Sequence, residues 1–185
     1  MLERAREFFL PRLMECRSVL ALGDGDGRFL AKLLQQNPEA RAVAVDSSAE
    51  MLRLLQGRCG ERVRAVRGSA MEVVADAGTD LVVTHFFLDC FGQDEVDGLA
   101  MRVAGQVAPG TLWVVSDFGV PWVRWLRPVA AVYVRSLYLA FRILTGLRVT
   151  RLPDPQRALV AAGFGLVARK EFLVGLVYTE LWQRQ

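Results

Sequence analysis

The sequence predicts an α/β fold: a doubly wound, mostly parallel sheet of seven strands with helices on both faces and an antiparallel last strand. Three observations carry that expectation. Short apolar runs alternate with amphipathic stretches along most of the chain, the pattern of parallel strands joined by helical crossovers. The first apolar run, 17–22, opens directly into Gly23-Asp24-Gly25-Asp26-Gly27, a sharp strand-to-helix turn of the kind that glycine's access to positive φ permits. Two late apolar runs, 165–172 and 175–182, are separated only by a short turn at Val174-Gly175, which suits antiparallel neighbours.

Each element follows from local pattern. A mixed-charge amphipathic stretch predicts a helix over 2–15, and Phe29, Leu30, Leu33 and Leu34 recur at helical spacing over 27–36. Asn37-Pro38 breaks that helix ahead of a second strand at 41–46. Met51, Leu52, Leu54 and Leu55 place a helix at about 48–58, and Val63 to Val66 form a short third strand. Gly78-Thr79-Asp80 opens a fourth strand over 80–85; a helix over 96–107 and a strand over 112–117 follow, and Pro155 to Ala162 reads as the last helix.

At 185 residues the chain fits one domain over 1–185 with a substantial core. Hydrophobic residues at 52% and charged residues at 23% exclude extended disorder. Cys16, Cys59 and Cys90 are too few and too scattered for a disulfide framework or a zinc site. They suit a reducing compartment, and with no apolar leader in Leu2 to Met14 the expectation is a cytoplasmic protein. No run approaches the roughly 20 apolar residues that cross a bilayer.

The glycine run carries the chemistry. Bare backbone after a buried strand lets a ligand approach closely at the carboxyl edge of the sheet. Asp46 lies nineteen residues beyond Gly27, at the end of the next strand, where a carboxylate accepts hydrogen bonds from both hydroxyls of a ribose. A dinucleotide fingerprint starting at Gly23 needs glycine at position 28, and Arg28 stands there, so an NAD(P)-dependent oxidoreductase is the weaker enzyme reading. No lysine followed by serine or threonine closes the run, which removes the phosphate-binding loop.

With glycines at 23, 25 and 27 the chain resembles the class I S-adenosylmethionine (SAM)-dependent methyltransferases, enzymes of a Rossmann-like sheet. The resemblance covers about 17–120 and 154–183. It implies that Leu22, Gly23, Asp24, Gly25, Asp26 and Gly27 face the methionine part of SAM, that Asp46 holds the ribose with Ser47 beside it, and that Ser69 and Ala70, in Arg64 to Ala70, contact adenine. Leu81 to Phe87 is similar to the family's fourth strand, which places Thr84 and His85 near the transferable methyl. Val107 to Asp117 resembles the turn into strand five, and Ala162-Gly163-Phe164 the lead into the last two strands. Two positions depart from the pattern. Ala21 stands where the family has an acid two residues before the first glycine, leaving Asp24 and Asp26 as acids for the SAM amino group, and Ser69 replaces an aspartate. Asp46 and Ser69 also have local readings as helix caps.

Methyl transfer from a sulfonium chiefly requires alignment and exclusion of water, with a base for a hydroxyl acceptor. His85, the one histidine, and Asp89 in His85-Phe86-Phe87-Leu88-Asp89-Cys90-Phe91 are the catalytic candidates. The alternatives are that His85 contacts the cofactor or satisfies a backbone group, and that Asp89 caps a helix or braces His85. Phe86, Phe87 and Phe91 read as pocket wall or core, and Asp117 reaches the same rim without making a metal site. The strand-four motif is not Asn/Asp-Pro-Pro-aromatic, which argues against nucleobase acceptors and nucleic-acid partners.

Net charge is +3, and only Lys32 and Lys170 are lysines. Between Phe118 and Pro153 there is no acid, yet Arg124, Arg127, Arg135, Arg142, Arg148 and Arg151 fall there. An arginine-rich amphipathic helical insertion over about 119–151 follows, either packed on the sheet, covering a pocket, or making peripheral contact with an anionic membrane through 122–145. The function expected is methylation, at oxygen or carbon, of a small, apolar or amphipathic acceptor. The alternative is a non-catalytic membrane-associated or partner-binding module on the same fold. Oligomeric state is left open.

Overall fold

A computed structural model describes residues 1–76, 78–119 and 153–185. Apart from Gly119, the arginine-rich helix expected over 119–151, with its membrane contact through 122–145, lies outside the described residues. The strands are β1 (Ser18–Leu22), β2 (Arg41–Asp46), β3 (Val63–Arg67), β4 (Leu81–His85), β5 (Leu112–Phe118), β6 (Phe164–Phe172) and β7 (Val177–Arg184). They form one seven-stranded sheet in the order β3-β2-β1-β4-β5-β7-β6. Neighbours from β3 to β5 are parallel, and β7 runs antiparallel to both β5 and β6.

Five described helices surround the sheet: α1 (Leu2–Glu7), α2 (Arg28–Gln36), α3 (Ala49–Cys59), α4 (Gln93–Ala104) and α5 (Pro155–Ala161). Two clusters of buried side chains lie on opposite faces of the central strands. Leu20, Leu22, Val82, Trp113 and Val115 pack with α4 and α5, while Val19, Ala21, Leu81, Val83 and Val114 pack with Phe9, Leu13 and the apolar side of α2. Fully burying one such Leu or Phe stabilises by about 1.5–3 kcal/mol, so residues such as Phe29, Leu30 and Leu33 hold α2 against the sheet.

The order of strands fixes where a ligand fits. From β1 the chain winds outward through β2 to β3, then returns to β4 on the other side of β1. The loops leaving β1 and β4 therefore diverge, opening a crevice at the carboxyl edge of the sheet. Asp80 ties the opposite ends of the two strands together, accepting from the amides of Arg17 (2.7 Å) and Ser18 (3.0 Å).

Two boundaries differ from expectation for local reasons. The helix expected over 2–15 stops at Glu7 and continues as a 3₁₀ turn at Leu10–Arg12, because Pro11 lacks the N–H that a continuous helix requires. Phe9 and Leu13 remain buried, so the amphipathic pattern holds without the regular helix. The helix expected over 96–107 starts earlier, at Gln93, because the Glu95 carboxylate accepts from the Gly92 amide (2.9 Å).

Candidate functional site

The loop after β1 rises through three left-handed glycines, Gly23 (φ 66°), Gly25 (φ 63°) and Gly27 (φ 78°). Two of them shape the loop in distinct ways. A Cβ on Gly23 would lie 2.1 Å from the Phe87 ring, so the loop and the segment after β4 touch through bare backbone. Beyond Gly25 nothing lies within 4 Å of such a Cβ, which leaves the middle of the loop facing open space. The Gly23 amide donates to the Val45 carbonyl (2.9 Å), tying the loop to β2. Leu22 is wholly buried and anchors the start of the turn.

Asp46, half-buried at the end of β2, has Oδ1 engaged by the Ser48 amide (2.8 Å). Its other oxygen has no hydrogen bond among the described residues. The cap of α3 is Ser48, whose hydroxyl accepts from Met51 N (3.3 Å), so Asp46 is not spent as a helix cap. Ser47 is exposed and receives Arg67 on its carbonyl. Ser69 is exposed and caps the 3₁₀ turn Ala70–Glu72, accepting from Met71 N (3.2 Å), while Ala70 is buried.

The two loop acids have different fates. Asp26 pairs with Arg28 (2.8 Å) and Arg58 (3.0 Å), and Arg58 also donates to its carbonyl (3.0 Å), stapling the loop to α3. Asp24 is only 4% exposed and turns beneath the loop, where Oδ2 accepts from the Leu30 amide (3.3 Å) near the start of α2 and Oδ1 has no partner. Burial pushes its carboxyl up to about 7, against the pull of that amide and of the Arg6 charge.

At the end of β4 successive side chains take opposite faces, as the strand period requires. Thr84 is enclosed on the α4 side, its hydroxyl accepting from Trp113 Nε1 (3.1 Å). His85 is buried on the α2 side, 2% exposed, its ring edge-on to Phe29 at 4.4 Å. Its Nδ1 lies 3.0 Å from Ser116 Oγ, which in turn donates to Thr179 Oγ1 (2.8 Å). Nε2 has no partner among the described residues. Burial, with the Arg6 charge in second place, lowers its pKa to about 3, so the ring is neutral at ordinary pH. Phe86 follows in the left-handed region (φ 54°) with its amide 2.6 Å from the Ser116 carbonyl, and this kink carries Phe87 back over Gly23.

On the other face the carboxyls of Asp89 and Asp117 lie within hydrogen-bonding reach of each other. They are 8% and 1% exposed. Burial raises the pKa of both, and the charge of Asp89 raises Asp117 further. The backbone amides of Leu88 and Phe87 face Asp117 and pull its pKa down. Burial, with the nearness of the second carboxyl adding to it at Asp117, thus holds both groups above the ordinary carboxyl range. Cys90 Sγ is 3.6 Å from Asp89, and burial raises its thiol pKa as well.

The structure thus gathers Leu22 to Gly27 and Asp46 at one edge, with Ser47, Ser69 and Ala70 on the adjoining turns. It does not bring His85 and Asp89 together: His85 belongs to the α2 side with Ser116, and Asp89 to the opposite side with Asp117. Sequence reasoning missed Arg6, whose guanidinium lies 5.3 Å from the Phe86 ring, and the pairing of Asp89 with Asp117. The available signal for the pair was that both acids lie near the carboxyl ends of adjacent strands, Asp117 as the penultimate residue of β5 and Asp89 just beyond β4. Among the described residues no group of three potential ligands forms a metal site, and no helix is long and apolar enough to cross a membrane.

The family profile described as a methyltransferase domain matches residues 19–110. A search of curated protein sequences returned no match. Solved structures resemble the fold closely. The mitomycin 7-O-methyltransferase MmcR has a TM-score of 0.75 at 18% identity, covering 100% of this chain and 54% of its own. An O-methyltransferase family protein from Burkholderia thailandensis has a TM-score of 0.75 at 20% identity, with coverage of 100% and 55%. From the same organism, 1,6-didemethyltoxoflavin-N1-methyltransferase, solved with 1,6-didemethyltoxoflavin and S-adenosylhomocysteine, has a TM-score of 0.73 at 21% identity, covering 100% of this chain and 78% of its own. The chain therefore spans about half the length of the first two of these proteins.

Proposed function

We propose that this chain, which belongs to the class I SAM-dependent methyltransferase family, transfers the methyl group of SAM to a small, apolar or amphipathic acceptor at oxygen or carbon. The observation that carries the reading is the open glycine loop beside a half-engaged Asp46 at the topological switch between β1 and β4. The residues fit the cofactor: Gly25 leaves space for it, Asp46 has an oxygen for the ribose, and Asp24 has an unpaired buried oxygen. Asp46 and Ser47 hold the ribose side, Ser69 and Ala70 the adenine side, and Gly23 to Gly27 the methionine side. Leu22 and Thr84 shape the pocket floor from within the core rather than by side-chain contact.

When bound, SAM supplies an electrophilic methyl on a positively charged sulfur. The chain's own work is alignment and dryness. Phe86, Phe87 and Phe91 form an aromatic wall at the edge of β4, with Phe87 and Phe91 rings 4.9 Å apart and Phe86 and Phe118 rings 5.0 Å apart. Asp89 is the better placed of the two proton-transfer candidates. Its carboxylate form accepts the proton of an acceptor hydroxyl, and Asp117, facing it, steadies it. His85, neutral and enclosed by Phe29 and Ser116, fixes the end of β4 instead of titrating. A small acceptor is supported by the mitomycin and toxoflavin methyltransferases that share the fold, and the three free cysteines suit a cytoplasmic setting.

Titration calorimetry with SAM and with S-adenosylhomocysteine tests the reading. Micromolar binding of both is expected. No heat and no thermal shift with either compound would contradict it.

A further inference from the structure

The Arg6 guanidinium and the buried Asp24 carboxyl are close enough to feel each other and yet not joined. The Arg6 guanidinium lies 5.3 Å from the centre of the Phe86 ring, directly after β4, and the next residue, Phe87, packs on Gly23 at the end of β1; the Arg6 charge also reaches Asp24 and His85. No ion pair closes between Arg6 and Asp24 among the described residues, and each keeps an unpartnered buried atom, Arg6 Nε and Asp24 Oδ1. Leaving a buried donor atom and a buried acceptor atom unsatisfied is costly. A ligand carrying one negative and one positive group at its end satisfies both at once.

We propose that Arg6 and Asp24 clamp the amino-acid end of the cofactor, Asp24 taking the ammonium and Arg6 the carboxylate. This rests on the SAM reading above and assigns the residues for a part of the cofactor that Ala21 leaves without an acid. The other nearby carboxylates are excluded by their partners or place. Asp26 is consumed by Arg28 and Arg58, and Asp46 sits at the end of β2, bonded to Ser48. Arg6 comes from α1, outside the glycine motif, and its guanidinium is held over the Phe86 ring, so the N-terminal helix contributes directly to cofactor binding.

The test compares S-adenosylhomocysteine with 5′-methylthioadenosine, which keeps the adenine, ribose and sulfur but lacks the amino-acid end. Calorimetric titrations of both are run on the wild-type chain, Asp24→Asn and Arg6→Gln. Each substitution weakens S-adenosylhomocysteine by about 10–100-fold, the loss of one charge-assisted hydrogen bond, and leaves 5′-methylthioadenosine within about twofold. Equal weakening of both compounds overturns the clamp, because it marks a change in loop shape. Unchanged affinity for S-adenosylhomocysteine in both variants overturns it as well. Failure of the wild-type chain to bind either compound overturns the SAM reading itself and the clamp with it.

Discussion

Two buried acid centres flank the antiparallel pair β5 and β7, and they are built in opposite ways. Glu180 on β7 is fully enclosed, and both its oxygens are spoken for: Trp182 Nε1 donates to one (3.1 Å), Gln156 and Arg169 to the other. Asp117, which faces Tyr178 two positions along the same ladder, has a second carboxyl, Asp89, and the backbone amides of Leu88 and Phe87 beside it, but no cationic side chain among its partners in the described residues. Both are equally hidden from water. The difference teaches that burial of a carboxylate is no signal of function; the partners decide. A paired, hydrogen-bonded acid stabilises the sheet end, whereas two buried acids facing each other are both held above the ordinary carboxyl range.

Exchanging the acids one at a time sharpens that contrast. Asp89→Asn removes the proton acceptor and lowers kcat by about 10²–10³-fold, measured as methyl transfer once an acceptor is in hand, with little change in S-adenosylhomocysteine affinity. The raised pKa of the pair sets the accompanying pH profile. The ionised form exists only above that pKa, so wild-type kcat falls as pH is lowered through a region nearer neutrality than an ordinary carboxyl, and the variant loses that limb. Asp46→Ala carries the comparison to the glycine loop, where one carboxylate oxygen is engaged and one is open. It weakens S-adenosylhomocysteine by about 10–100-fold in calorimetry and weakens 5′-methylthioadenosine alike, because both carry the ribose. Glu180→Gln gives the smallest functional effect. It leaves kcat within about twofold and lowers Tm by about 2–10 °C, from the loss of about 1–3 kcal/mol of charged hydrogen bonding to Arg169 and Trp182. A loss of kcat in Glu180→Gln as large as in Asp89→Asn would break the distinction.

The glycine loop and the strand-end acid proposed to hold the cofactor were legible as a structural unit because their signals are local. Gly23, Gly25, Gly27 and Asp46 fall within one strand-helix-strand unit, and the period of apolar residues is enough to place them. The alternation of elements gave the sheet for the same reason. The acceptor half depends on contacts across strands, which no window of sequence contains. Whether His85 points to the α2 side or the α4 side is decided by a single step of a two-residue period, and its neighbours Ser116 and Thr179 lie 31 and 94 positions away along the chain. The Asp89–Asp117 pair forms because β4 and β5 are parallel neighbours, and Arg6 reaches the site only because α1 folds back over the sheet. Ser69 shows the reverse case: the sequence allowed both a cap and a cofactor contact, and the structure displays the cap.

A crystal structure of the chain with S-adenosylhomocysteine tests the central claim most directly. The account predicts ribose hydroxyls on Asp46, bare backbone of Gly23 to Gly27 along the amino-acid end, and Asp89 on the side where the methyl would leave. A nucleoside seated elsewhere, with Asp46 still bonded only to Ser48, would contradict it.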